Sequence, residues 1–329
     1  MTGAEQDSAG SPSAGVDLVT FGETMARLEN PVVGPMRHAR TLDLGIGGAE
    51  SNTAIGLRRL GATAAWFGRV GDDEFGRLIT TALAGEGVRI DHAVVDESAP
   101  TALLFKERRS GTLTRVQYYR TGSAGSRLGP ADVPHALIRS ARVLHVTGIT
   151  AAISPTARAA LDDAVETARD AGVPVSLDLN YRSALWSPDE AGECLRDLVK
   201  RADLVFATEA EARLVVAADD PAGLAAGLAA LGPRDALVKR GAAGVVASCA
   251  GTLHVQPAHR VPVIDPVGAG DAFAAGYLAE FVRGRPVAER LATATAAGAY
   301  AVTVRGDWEG LPSRRDLDLL KSTEDTVTR

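Results

Sequence analysis

From residue 143 onward the chain alternates short apolar runs with helix-length amphipathic segments, and this alternation constrains the fold of the 329-residue sequence more than any other feature. Apolar runs over 143–147, 173–178, 204–206 and 236–239 read as strands, with helical patterns over 155–171 and 188–201 between them. Short strands joined by helices of this length close as right-handed crossovers, which lines the strands up in parallel. Further strands are expected over 16–21 and 62–67 and near Val88, and helices from near Asn52 to Gly61 and over 73–86, 272–283 and 287–302. The fold class implied is α/β, a doubly wound, mostly parallel sheet. Short strands near Leu42, Leu103 and Thr114 fit no crossover, and are expected to form a small β-strand lid from about 25–46 and 100–122 over the C-terminal strand ends. The α/β domain is placed at 16–320, between a disordered tail at 1–15 and a C-terminal tail at 321–329.

Composition removes several function classes. A formal net charge of -6 gives no general footprint for nucleic acid. No apolar run reaches membrane-spanning length, the Ala-rich stretch 221–231 being too short and broken by Gly. The N-terminus lacks the basic start and apolar core of a signal peptide. Cys194 and Cys249 form no CxxC pair or zinc spacing, which fits a reducing, cytoplasmic location.

The densest chemical signal is Asp265-Pro266-Val267-Gly268-Ala269-Gly270-Asp271, followed by a helix of small residues. Two glycines and an alanine let the backbone turn tightly into a helix N-terminus, whose amides form an anion site. Asp271 stands at its mouth, placed to take the proton of an attacking hydroxyl while the amides hold a transferring phosphate. The alternative is that Asp271 caps the helix. A second motif, Gly47-Gly48-Ala49-Glu50-Ser51-Asn52, runs into another helix. Gly48 permits close ligand approach and Asn52 can bond a hydroxyl, or Asn52 is itself a helix cap. Neither P-loop nor dinucleotide spacing occurs. On the strand over 114–120, Val116, Tyr118 and Arg120 share one face.

The two glycine motifs, in this order and at opposite ends of the chain, resemble the two signatures of the ribokinase-like (PfkB) sugar kinases. The resemblance covers the chain after the tail. It implies ATP as donor, magnesium, an α/β domain with a β lid, and Asp271 as base, with Gly268, Ala269 and Gly270 holding the phosphoryl group. It also implies a nucleotide and phosphate set of Asn180, Lys239, Gly241, Gly244 and Thr295. Glu211 would help place the metal, although Thr208 stands where the family usually has Asn; a solvated helix-face charge is the alternative. A monovalent cation near Asp265 is a further expectation. GGAESN, YYRTGSAGS, HVTGIT, DLNYRSALWSP and RGDWEG resemble one branch, the 2-keto-3-deoxygluconate kinases. That resemblance implies a sugar-acid substrate whose carboxylate meets Tyr118, Arg120 and Arg182, with Asp307 as a further contact. Surface salt bridges for the arginines and a turn role for Asp307 are the alternatives. Leu104 departs from the branch, which has Tyr there. His145 reads as a satisfied core histidine. A neutral-sugar kinase and a non-catalytic sugar-binding regulator stand as alternatives, and a homo-oligomer formed through the lid is expected.

Overall fold

The computed structural model describes residues 15–110 and 113–320. The tail expected at 321–329, and all but residue 15 of the one expected at 1–15, lie outside the described residues. The main sheet has eight strands in the order Thr252–Gln256, Val245–Cys249, Asp235–Lys239, Leu204–Thr208, Val175–Asp178, Val143–Thr147, Leu18–Phe21 and Ala64–Phe67. All neighbours are parallel except that Val245–Cys249 runs antiparallel to both Asp235–Lys239 and Thr252–Gln256. The central strands are buried along nearly their whole length, as parallel strands covered on both faces must be. One face carries the helices Pro155–Asp170 and Pro188–Arg201, whose Leu161 and Leu195 share a buried cluster with Val205 of the sheet. The other face buries Trp66 and Phe206 beneath the helices Ala49–Arg59, Ala269–Phe281 and Val287–Ala301, with Tyr277 of the second helix in the same cluster.

Local chemistry starts these helices where the sequence places them. Ser187 accepts from the Glu190 amide while the Glu190 carboxylate accepts from the Ser187 amide, and Pro188 occupies the first turn. The small residues on Ala269–Phe281 serve close packing. A Cβ on Gly276 would lie 2.9 Å from Ala294 Cα, and one on Gly56 2.8 Å from Ala275 Cβ.

A second sheet of four strands, in the order Asp43–Gly47, Met25–Glu29, Leu103–Arg108 and Thr114–Tyr119, contributes Leu104, Val116, Tyr118 and Arg120 to a cleft shared with the main strands. One expected strand is corrected. Val88 is buried, but only the bridge Ala65 to Arg89 forms there, and the strand pair nearby is Arg69–Gly71 with Val94–Asp96.

Candidate active site

Two helix starts meet at the floor of the cleft. Gly268 takes φ +80° and is the N-cap of Ala269–Phe281, with no side chain capping the helix. Only glycine serves here, because a Cβ would collide with the Asp307 carbonyl oxygen. The helix therefore begins three residues before the expected Ala272, which puts Asp271 inside its first turn and excludes the capping alternative. Gly48 is likewise the N-cap of Ala49–Arg59, so Asn52 is not a cap. Instead Asn52 Nδ2 donates to Asp271 Oδ2 at 2.8 Å, joining motifs 219 residues apart.

The cleft holds about 360 Å³ and brings together Gly48, Asn52, Leu104, Tyr118, Arg120, Arg182, Asn180, Glu211, Lys239, Gly268, Gly270, Asp271 and Asp307. Val116 and Tyr118 face inward while Tyr119 is exposed, as the strand alternation requires. Asn180 follows the strand Val175–Asp178 with φ +41°, a left-handed turn that Asn tolerates. A larger open hollow of about 970 Å³ runs along Pro188–Arg201, lined by charges of both signs, and holds none of the glycine motifs.

Burial pushes the Asp271 carboxyl up to about 7, and the Asn52 hydrogen bond holds it down in part; Asp178 pushes it further up, against Arg182 and Lys239. Lys239 Nζ lies 2.6 Å from Asp178 Oδ2. Burial works against the lysine charge, yet Asp178, with Glu211 and Asp271, keeps its pKa above the ordinary lysine value. Asp178 Oδ1 and Asn52 Oδ1 are buried with no protein partner, two acceptors at the edge of the cleft.

The remaining expected residues sit differently. Thr295 is buried in Val287–Ala301, and its hydroxyl donates to the Leu291 and Ala292 carbonyls of its own helix, so it does not line the cleft. Ala269, Gly241 and Gly244 are also outside the lining. Gly244 is explained by its turn, since a Cβ would strike the Gln256 carbonyl oxygen. Glu211 is not a solvated charge: Oε1 accepts from the Tyr181 amide at 3.1 Å and Oε2 from the Thr208 amide at 2.7 Å. Among the described residues no group of three or more His, Cys, Asp or Glu side chains could hold a metal ion. Arg120 is ion-paired at 2.6 Å to buried Glu23 and stacks over Tyr118. Asp265, beside which a monovalent cation was expected, already has the Lys106 ammonium 2.6 Å from Oδ2. His145 is a core residue bonded to Ser176, and burial pushes its pKa down to about 3.

Sequence reasoning missed Glu23, Glu50 and Lys106. Burial raises the pKa of both glutamates; Arg120 and Ser123 counter it at Glu23, and the Thr147 and Thr150 hydroxyls at Glu50. The available signal was periodicity, because Lys106 lies two residues from Leu104 and shares its face.

Residues 16–314 match the pfkB family carbohydrate kinase model. The chain is 38% identical over 313 residues to a 2-dehydro-3-deoxygluconokinase of Thermoproteus tenax, covering 93% of this chain and 95% of that protein. It is 36% identical over 295 residues to a 2-dehydro-3-deoxygalactonokinase of Haloferax volcanii, covering 88% and 92%. A solved PfkB protein from Polaromonas sp. JS666 superposes with a TM-score of 0.84 at 36% identity, covering 92% of this chain and 99% of the other.

Proposed function

Because the chain belongs to the pfkB family of carbohydrate kinases, we propose that it transfers the terminal phosphoryl group of ATP to the 6-hydroxyl of 2-keto-3-deoxygluconate, with Asp271 as the base. The observation that carries the reading is the junction of Asp271 with Asn52 beside an uncapped helix start. The substrate hydroxyl gives its proton to the Asp271 carboxylate as its oxygen bonds to the γ-phosphorus, and ADP leaves with the electrons of the broken bond. The amides of Gly268, Gly270 and Asp271, which line the cleft, hold the moving charge, a donor of this kind being worth about 3 kcal/mol. Lys239, 3.4 Å from where a Cβ on Gly270 would lie, adds a positive charge to that cradle.

Magnesium, when bound with the nucleotide, would supply positive charge to offset the charge of the transferring phosphate. Of the nearby carboxylates, Asp178 has an oxygen free to face it, whereas Glu211 positions the 180–181 and 208 backbone. Asn180 and the exposed turn at Gly241 complete the nucleotide side. Thr295 and Gly244 act only through packing. Tyr118, Arg120 and Arg182 receive the substrate carboxylate, and Asp307 and Gly48 its hydroxyls. The enzyme works in the cytoplasm, in keeping with two free, buried cysteines. Two copies pair through the second sheet, whose outer strands Asp43–Gly47 and Thr114–Tyr119 leave free edges near exposed Leu44 and Tyr119. Sedimentation equilibrium giving a monomer at micromolar concentration would exclude that pairing.

A neutral sugar is the second reading, favoured by one observation: Glu23 already neutralises Arg120, which suits hydroxyls better than a carboxylate at that point. An ADP-release panel separates the two. The keto acid should exceed fructose and ribose in kcat/KM by on the order of 100-fold; a preference for either neutral sugar overturns the sugar-acid assignment.

A further inference from the structure

Lys106 is 1% exposed and does not line the cleft, yet its ammonium is bonded on both sides to main-body carboxylates. It projects from Leu103–Arg108 of the second sheet and donates to Asp265 Oδ2 at 2.6 Å and to Asp307 Oδ1 at 2.8 Å. Both acceptors border the anion cradle. Asp265 opens the Gly268 turn, accepting from the Val267 amide through Oδ1 and from the Gly306 amide through Oδ2. The Asp307 carbonyl packs directly against Gly268. Asp307 Oδ1 also accepts from Arg27 Nη1 of Met25–Glu29, while Oδ2 points toward Gly47 and the cleft. One ammonium mounted on the second sheet thus pins both flanks of the turn that opens the helix Ala269–Phe281.

We propose that Lys106 is a positioning residue: an internal cation, carried by the second sheet, that locks the Gly268–Gly270 amides and the Asp307 carboxylate into their working geometry when that sheet covers the cleft. Apolar side chains in place of all three charges would fill the same space without their desolvation cost, so packing alone does not account for a buried ammonium between two carboxylates. Its placement makes the anion cradle depend on where the sheet sits. Lifting the sheet would withdraw Lys106 and Arg27 together from Asp265 and Asp307 and leave two buried carboxylates facing each other. The inference rests on the phosphoryl-transfer reading of the site.

The test compares Lys106→Ala, which leaves a hole between the carboxylates, with Lys106→Met, which fills it with a neutral chain. Both should lose kcat on the order of 100-fold, as displacement of a catalytic group by about 1 Å does. Methylammonium chloride should restore most of the loss in the alanine variant and none in the methionine variant, while tetramethylammonium, too large for the hole, restores neither. Hydrogen exchange at amides 267–271 should quicken in Lys106→Ala and slow again with methylammonium. That readout is independent of substrate, so an inactive wild type would overturn the sugar-acid reading and still leave Lys106 decided by exchange. Should either variant fail to fold, Lys106→Met combined with Asp265→Asn removes the ammonium and one of its two carboxylates, leaving Asp307 paired with Arg27, and should fold with the same kcat loss. Wild-type kcat in that double variant, or exchange unchanged in Lys106→Ala, would overturn the proposal.

Discussion

The raised pKa of Asp271 predicts an unusual pH profile for a carboxylate base. With its carboxyl pushed up to about 7, chiefly by burial, the proposed base would be mostly ionised only above neutrality. The kcat/KM for the sugar should therefore fall about tenfold per pH unit below 7, leaving roughly a tenth of the plateau at pH 6. An aspartate at the ordinary 3.8 would leave the profile flat to pH 5. The Asn52 hydrogen bond supplies a second handle, because it favours the ionised form. A hydrogen bond to a charged group contributes about 1.5–3 kcal/mol, so Asn52→Leu should move the inflection upward by roughly one to two pH units. The assay is coupled ADP release from pH 5.5 to 9 at constant ionic strength and saturating nucleotide. Ionisation of ATP itself gives an inflection that ignores position 52, whereas the Asp271 inflection follows it. A flat profile from pH 5.5 to 8, or one inflection shared by both proteins, would refute the reasoning.

Other perturbations follow from the same geometry. The folded pKa of Asp271 lies above the ordinary value, so its contribution to stability is full below pH 3.8 and lost as pH rises through about 7. Asp271→Asn should accordingly raise Tm more at pH 8 than at pH 4, by differential scanning calorimetry; an equal change at both would contradict the sign. Gly268→Ala forces an L side chain to φ +80° against the Asp307 carbonyl, and should cost about 3 kcal/mol in urea unfolding. A cost below about 0.5 kcal/mol, the range of a neutral surface change, would mean that the turn relaxes freely. Arg120→Ala should raise KM for the keto acid far more than for fructose, and equal increases would assign the guanidinium to Glu23 alone.

The parallel framework was legible because its strands carry their burial in their own composition. Leu18–Phe21, Val143–Thr147 and Leu204–Thr208 are apolar runs whatever packs on them. Val88 misled for the same reason: it is apolar and buried, but too little of its backbone finds a neighbouring strand. In the site, Asp271 and Asn52 were readable through the glycines beside them, though only the fold shows that the two side chains touch. Lys106 had only its strand periodicity with Leu104 to mark it. A lone lysine in a strand reads as a solvent-facing charge, and the carboxylates that bury it lie 159 and 201 residues away. Glu23 and Glu50 were hidden likewise, their partners Ser123, Arg120, Thr147 and Thr150 reaching them only through the tertiary fold. Thr295 failed in the opposite sense, because a hydroxyl in a helix can turn back on its own carbonyls, as this one does.

The most direct measurement is the turnover of Asp271→Asn with 2-keto-3-deoxygluconate, taken together with its ATP affinity by calorimetry. A base acting beside an intact cradle requires kcat to fall by roughly 10²–10⁴-fold while nucleotide affinity stays near that of the wild type. Turnover within a few-fold of the wild type would mean that the proton leaves by another route and that the helix start at Gly268 is not where the phosphoryl group is transferred.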